Sequence, residues 1–463
     1  MNILHYSLGF PPYRTGGMTK YCLDLMAEQF KAGHHVLILW PGKIESYSEA
    51  ISIKRDKNHN ITDGLSVSSY ELINPLPVPL CDGINDVNAF IMNKCSETFR
   101  DFFIINKVNV LHVHTLMGMP RECLEEANKL GIQTVYTSHD YFGICPKLGL
   151  TQRGRICDNN NDFIDCIECN KTALSLKKIQ FLQSSLYRKI KNLPLIKAAR
   201  KWHNKTIYAE NTNDFSVINV RIEDEDTYEQ EKAKYKKLRC YYVSMLKSFS
   251  VLHFNSSNTK EVFGKYLDVS ETEKIITISH SSISDNRKVR TYFGQIRIGY
   301  LGPITVHKGF FFIKNALDEL YKQNITNFQL HIFAEYEGYS DYFVKHPPYQ
   351  YKDLVNVMNQ FDILVVPSLS ETFGFTVLEA LSYGVPVIVT SNVGAKDLIE
   401  NGKNGLITSP NKESIQAVIM ELLSDHKKMS DMNQYIVSHT PIKIMEQHAK
   451  EIEKLYNYKG VSK

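Results

Sequence analysis

The 463-residue sequence has no stretch approaching the eighteen or more consecutive apolar residues that a membrane span needs; runs such as Phe361–Pro367 are only strand length. A spanning helix is therefore not expected. An excess of charge of one sign is also missing, since 54 Lys and Arg stand against 50 Asp and Glu for a net charge of +4. That is too small to make nucleic acid the default partner, because phosphate binding gathers basic residues on one surface. The opening MNILHYS lacks a basic n-region and a small-residue cleavage site, so no secretory signal is read and a cytoplasmic chain is expected. Nine cysteines, an odd number, suit reduced thiols better than a disulfide framework. No short-period repeat is present. What is there, 43% apolar and 22% charged residues with 24 Gly and 16 Pro, is the composition of a globular protein with room for two large or three smaller units.

Along the chain, strand-like and helix-like segments alternate. Ile3–Ser7 reads as a strand, GFPPYRTGG as a loop, Met18 to Met26 as a helix and His35–Trp40 as a strand. Val108–His114, Glu122–Leu130 and Gln133–Ser138 repeat the pattern. A second run starts near Gln295 with IRIGYL. It continues through Phe310–Tyr321, Gln329–Phe333, Asp353–Gln360, Ile363–Val366, Gly374–Tyr383, Val387–Thr390 and Lys412–Leu423. Such alternation predicts an α/β protein with two doubly wound parallel sheets. The expected units are residues 1–284 and 295–440, with the boundary in the polar stretch 284–294. An amphipathic helix over Ile442–Tyr456, within residues 441–463, is expected to pack back toward the first unit. Residues from about 143 to 250 break the alternation and read as a largely helical insertion, which a loop of the first unit tolerates.

Ligands of open α/β sheets bind beyond the carboxyl ends of the strands, so the loops that follow strands carry the candidates. Gly16 and Gly17 open a helix after the first strand, where backbone amides favour an anion, although a glycine turn there is also ordinary loop geometry. Lys308, before Gly309, stands at the positive end of a helix dipole, a conflict that an anion would resolve, although a solvated lysine ahead of a helix reads equally well. Glu371 falls in a strand-to-helix loop, and Glu379 sits inside the next helix between Leu378 and Ala380. A carboxylate there can accept two hydrogen bonds from a vicinal diol. His139, just after Gln133–Ser138, faces the expected cleft between the units, although a lone histidine is more often structural.

These pieces resemble the family 4 retaining glycosyltransferases of the GT-B fold. The resemblance rests on Gly16-Gly17, Lys308-Gly309, the E-x7-E pair Glu371/Glu379, GVPVI and NGKNGLI. It spans both halves, is most specific over Phe361–Ile407, and is loose in the insertion, where HDYFGICP and further cysteines are the shared feature. It implies two Rossmann-like domains facing a cleft and transfer of a sugar from a nucleoside-diphosphate-sugar to an acceptor hydroxyl, with no cofactor and no metal. By resemblance, Glu379 binds the donor ribose and Glu371 approaches the sugar ring. The amides of Gly374, Phe375 and Thr376 face the diphosphate, which Lys308 neutralises opposite Gly16 and Gly17, and His139 lies near the transferred sugar. The catalytic set is thus Lys308, Glu371 and His139. The sequence departs from the family at Pro303, where an Arg is common, and at Ala334-Glu335, where a glycine-rich turn is usual; Arg14 or His307 is a candidate to replace the missing cation.

The acceptor implied is a growing saccharide, including a lipid-linked one. Lys171–Lys205 holds ten Lys and Arg and no Asp or Glu, with leucines and aromatics among them, a composition that suits an anionic membrane surface and equally a solvated basic face. Cys145, Cys157, Cys166 and Cys169 have the ligand count for zinc, but strong zinc modules show two close pairs, so buried thiols are the preferred reading. The alternative within enzymes is a sugar-nucleotide epimerase or phosphorylase of the same fold, and from a different class, a catalytically weak nucleotide-binding partner subunit.

Overall fold

The computed structural model describes residues 1–11, 14–45, 47–56, 59–60, 66–79, 83–152, 154–157, 162–198, 225–268, 272–292 and 294–458. The chain forms two separate sheets, each built mainly of parallel strands. In the first half the strands are β1 (Asn2–Tyr6), β2 (His35–Pro41), β3 (Ser52–Arg55), β4 (His59–Asn60), β5 (Ser66–Ile73), β6 (Val110–Val113) and β7 (Gln133–Ser138). The hairpin β8 (Thr151–Gln152) and β9 (Arg155–Ile156) stands apart, and β10 (Val251–Phe254) and β11 (Glu273–Ile275) rejoin the sheet. The second half carries β12 (Ile296–Leu301), β13 (Phe328–Phe333), β14 (Phe343–His346), β15 (Ile363–Val366), β16 (Val387–Thr390) and β17 (Gly405–Thr408).

Strand order explains where a ligand can lie. The second sheet runs β14-β13-β12-β15-β16-β17, the doubly wound order in which the chain reverses direction between β12 and β15. The first runs β11-β10-β7-β6-β1-β2-β5-β3, with its reversal between β1 and β6. At each reversal the connecting loops part and leave a crevice at the carboxyl ends. Central strands are buried on both faces, so Ile363–Val366 and Val387–Thr390 read as unbroken apolar runs. The structure is the expected pair of Rossmann-like units.

The edges differ from the sequence reading. β3 and β4 pair antiparallel with β5, because Ser52–Arg55 is a half-exposed polar edge with no alternation to announce it. The helix expected over Asp353–Gln360 contracts to Leu354–Met358, preceded by one tight turn. The insertion lies between β7 and β10, whose parallel register (Val251 beside Val135) shows that the sheet closes past it undisturbed. It holds the β8–β9 hairpin and helices Ile164–Asn170, Leu176–Leu182, Ser185–Ile190 and Glu225–Leu246. The last is fixed to the first half by Tyr235 and Tyr242, whose hydroxyls donate to the carbonyls of Ile84 and Phe90 at 2.9 Å. Arg200, Lys201 and Lys205 of the basic stretch lie outside the described residues.

The helix Met445–Tyr456 returns to the first half and buries Met445, Ala449, Ile452, Leu455 and Tyr456. It packs along helix Gly17–Lys31, and its Tyr456 hydroxyl meets Gln29 and His112 at 2.7 and 2.8 Å. Where the chain passes from the first half to the second, Arg287 donates to the carbonyls of Ile436 and Thr440 at 2.7 and 2.6 Å. The outgoing and returning segments are thereby tied to each other.

Candidate active site

The two crevices face each other, and the starts of two helices meet across the gap. Gly16 caps helix Gly17–Lys31 with φ 129°, and a β-carbon placed on Gly17 would lie 3.5 Å from the Phe375 ring. Gly374, with φ 98°, caps helix Phe375–Ser382, whose start has neither a side-chain cap nor an acidic residue in its first turn. Its first amides therefore keep their donor capacity for a ligand. Thr372 donates from Oγ1 to the His139 carbonyl at 2.8 Å, and Ser256 donates to the Thr372 carbonyl at 2.8 Å, so loops of both halves close on each other here.

Lys308 and Glu371 form an ion pair. The anion that the lysine's position demands is thus present within the chain. Gly309 allows this approach: a β-carbon there would sit 1.8 Å from the Pro367 carbonyl oxygen at the end of β15, so no side chain fits. Pro303, the departure from the family pattern, accepts a hydrogen bond at its carbonyl from Tyr300 at 2.8 Å. Burial, reinforced by the Lys308 charge, lowers the His307 pKa. That shift opposes its use as a replacement cation.

Glu379 is 1% exposed on the inner face of its helix. Its Oε1 accepts from His280 Nε2 at 3.1 Å, and its Oε2 has no hydrogen-bond partner among the described residues, an unsatisfied carboxylate oxygen of the kind that marks a functional position. The Ser282 amide donates to His280 Nδ1 at 3.3 Å, which leaves Nε2 as the protonated nitrogen. The His280 ring packs against Phe375 and Tyr351, with centroids 5.0 and 5.2 Å away. Lys20, one turn into the first helix, places its ammonium 4.9 Å from the Tyr351 ring centre and pairs with Asp24 at 2.9 Å. Sequence reasoning missed His280, Tyr351 and Lys20. No motif surrounds them, and only the spacing of Lys20 and Asp24 on one helix face hinted at the last.

His139 is half-buried and its imidazole, chiefly through burial, is lowered to about 3. Its Nε2 meets His114 Nδ1 at 3.3 Å. Behind it, His5, His112 and His114 bring ring nitrogens within 4.8 Å of one another. All six of those nitrogens have hydrogen-bond partners, so the trio is a polar core cluster with no nitrogen left over for a metal. Cys145, Cys157, Cys166 and Cys169 line one cavity in the insertion, with burial raising Cys166 and Cys169 to about 12. Arg188, counted above among the basic residues, is paired with Glu71 at 2.8 Å.

The arrangement is a GT-B cleft, and comparisons with known proteins agree. Residues 283–438 match the family model described as glycosyl transferases group 1. Over 114 residues the chain is 32% identical to the D-inositol 3-phosphate glycosyltransferase of Paenarthrobacter aurescens, covering 24% of this chain and 28% of that one. The first three curated relatives are matched over only 12% to 28% of their length. The sucrose-phosphate synthase from Thermosynechococcus elongatus superposes with a TM-score of 0.56 at 13% identity, covering 98% of each chain. Anabaena Alr3699/HepE in complex with UDP-glucose gives 0.54 at 13% identity over 99% of each. At such identity the structural likeness establishes the fold.

Proposed function

We propose that the protein is a retaining glycosyltransferase that moves a sugar from a nucleoside-diphosphate-sugar to an acceptor hydroxyl and requires no metal. The observation that carries this reading is the buried Oε2 of Glu379, without a hydrogen-bond partner among the described residues, on the helix whose start meets that of the first helix. In this reading the ribose diol of the donor supplies the donors that Glu379 lacks. The diphosphate lies against the amides of Gly374, Phe375 and Thr376, with Gly16 and Gly17 opposite. As the bond from the anomeric carbon to the diphosphate breaks, negative charge grows on the leaving group, where Lys308 and the helix amides are already placed to stabilise it. Glu371, in contact with Lys308, holds that cation in place and borders the sugar ring, while His139 borders the sugar from the first half. Domain limits of 1–284 and 295–440 belong to the same reading.

The acceptor we propose is a saccharide, lipid-linked in the cell. Leu186, Leu193 and Leu195 are 59%, 52% and 83% exposed amid the lysines of the insertion, a pattern that suits an anionic leaflet. No helix among the described residues is long and apolar enough to cross a membrane. Flotation with anionic vesicles at low salt, reversed by added salt and absent with neutral lipid, tests that contact; no flotation at low salt removes it.

The decisive experiment for the reaction is a panel of sugar nucleotides, UDP-glucose first, screened by thermal shift and then assayed for nucleoside diphosphate release with acceptor. Release supports transfer. An altered donor without release supports an epimerase, and binding without turnover supports a partner subunit.

A further inference from the structure

We propose that a hydrogen-bonded chain through the first half, anchored on the Ile276 carbonyl and passing through Tyr456 of the C-terminal helix, fixes His139 as the tautomer protonated on Nε2. Its Nδ1 is then an acceptor for a ligand hydroxyl. The proposal rests on the glycosyltransferase reading only for the identity of that ligand, a sugar.

The chain has eight links. His253 Nε2 meets the Ile276 carbonyl at 2.7 Å, and His253 Nδ1 meets Thr137 Oγ1 at 2.8 Å. Thr137 Oγ1 meets His112 Nε2 at 2.7 Å, and His112 Nδ1 meets the Tyr456 hydroxyl at 2.8 Å. Gln29 joins the Tyr456 hydroxyl to His5 Nε2 at 2.7 Å on each side. His5 Nδ1 meets His114 Nε2 at 3.0 Å, and His114 Nδ1 meets His139 Nε2 at 3.3 Å.

A carbonyl oxygen can only accept, so His253 must carry a proton on Nε2. A neutral imidazole has one proton, which leaves Nδ1 to accept from Thr137. The threonine hydroxyl has then spent its proton and must accept from His112 Nε2. His112 Nδ1 in turn accepts from Tyr456, whose oxygen accepts from the Gln29 amide NH2. The Gln29 carbonyl faces His5 and accepts from its Nε2, so His5 Nδ1 accepts from His114 Nε2, and His114 Nδ1 accepts from His139 Nε2. Each link leaves the next one choice. The argument holds while the rings are neutral, and burial keeps them so: His5 and His253 are lowered to about 4, and His112 and His114 well below the ordinary histidine value. His5, His112, His114, Thr137 and His253 are all fully buried, and each link between them is a direct side-chain contact or passes through Tyr456 and Gln29. The far end is different, since His139 Nδ1 has no hydrogen-bond partner among the described residues.

Tyr456, Gln29, His112 and Thr137 are thus positioning residues for His139. Long-range proton–nitrogen correlation spectra of the 15N-histidine-labelled protein read the tautomer directly, and the His139 signals are identified by their loss in His139→Gln. The expected result is a single form with the proton on Nε2. Tyr456→Phe and Thr137→Val should turn it into a mixture, and Thr137→Ser, which restores a hydroxyl, should return it to one form. Turnover in Tyr456→Phe should fall roughly tenfold, the loss of about one hydrogen bond, with nucleotide Kd unchanged. A wild-type His139 protonated on Nδ1, or a pattern indifferent to both Tyr456→Phe and Thr137→Val, overturns the proposal. If the tautomer behaves as expected while no sugar nucleotide binds, the function reading fails and the chain stands.

Discussion

The two sheets solve burial in opposite ways. In the second, β15 and β16 are Ile-Leu-Val-Val and Val-Ile-Val-Thr, so packing against the covering helices satisfies them, and only the Thr390 hydroxyl needs a hydrogen bond, which it makes to the nearby Ser368 carbonyl. In the first, β1, β6, β7 and β10 place His5, His112, Thr137 and His253 at 0% exposure, each of which must find a hydrogen bond or cost the fold its desolvation. One of the His112 bonds is supplied by Tyr456, from the opposite end of the chain. An apolar sheet is sufficient to itself, whereas a polar core makes its half depend on a distant segment.

The strongest way to break this contrast is to delete residues 445–463. Each large apolar side chain of the returning helix contributes roughly 1.5–3 kcal/mol through burial, and the polar core loses Tyr456 as well. The truncated chain should fail to fold or melt far below the full chain by calorimetry; melting within a degree or two would end the claim of dependence. Next in size, Lys308→Ala should lower kcat by about a hundredfold or more, the scale seen when one charge-stabilising group is removed, with acceptor KM little changed in steady-state assays.

Acid should sharpen the contrast. His5 and His253 are lowered by burial from 6.5 to about 4. Between those pH values the unfolded chain binds protons that the folded chain refuses, so their stabilisation is complete above pH 6.5 and is lost as pH falls toward 4, on the order of 3 kcal/mol for each ring. Melting followed by tryptophan fluorescence, to which buried Trp40 in the first half contributes, should therefore drop steeply over that window. A flat profile would mean that the folded chain takes up the same protons as the unfolded one, so that burial does not lower the two rings. Glu379→Ala should weaken nucleotide binding by about 1–3 kcal/mol in calorimetric titration, and unchanged affinity in a folded variant would remove Glu379 from the site. The smallest effect is expected for Thr372→Val, about 0.5–1.5 kcal/mol from the lost bond to the His139 carbonyl, read from the melting of the full chain.

The same contrast decides what could be read from the sequence. Ile363–Val366 and Val387–Thr390 were legible to the residue, because a short apolar run between breakers admits one interpretation in an alternating α/β chain. Motif spacing put Lys308 and Glu371 in loops that follow strands, and the structure brings the two into contact. His280 was not, since a lone histidine in a loop carries no pattern and its partner Glu379 is 99 residues away. The polar core was not legible: nothing local marks His112 or His114 as core partners, and Tyr456 reads as one more apolar position of an amphipathic helix. The antiparallel edge at β3 was hidden for the reason edges usually are, because half-exposed residues need no strict alternation.

The bond from Arg287 to the Ile436 and Thr440 carbonyls has a mechanical consequence. The chain crosses between the halves twice, and this guanidinium stitches the two crossings into one double-ply strap along a single edge. A body joined along one edge swings about that edge and resists sliding or twisting. Among the described residues the opposite lip is fastened by separable clasps, Thr372 to His139, Ser256 to Thr372, Ser257 to Asp397 and Asn258 to Asn392. The molecule is built to open like a book, its spine at Arg287 and its pages parting at His139.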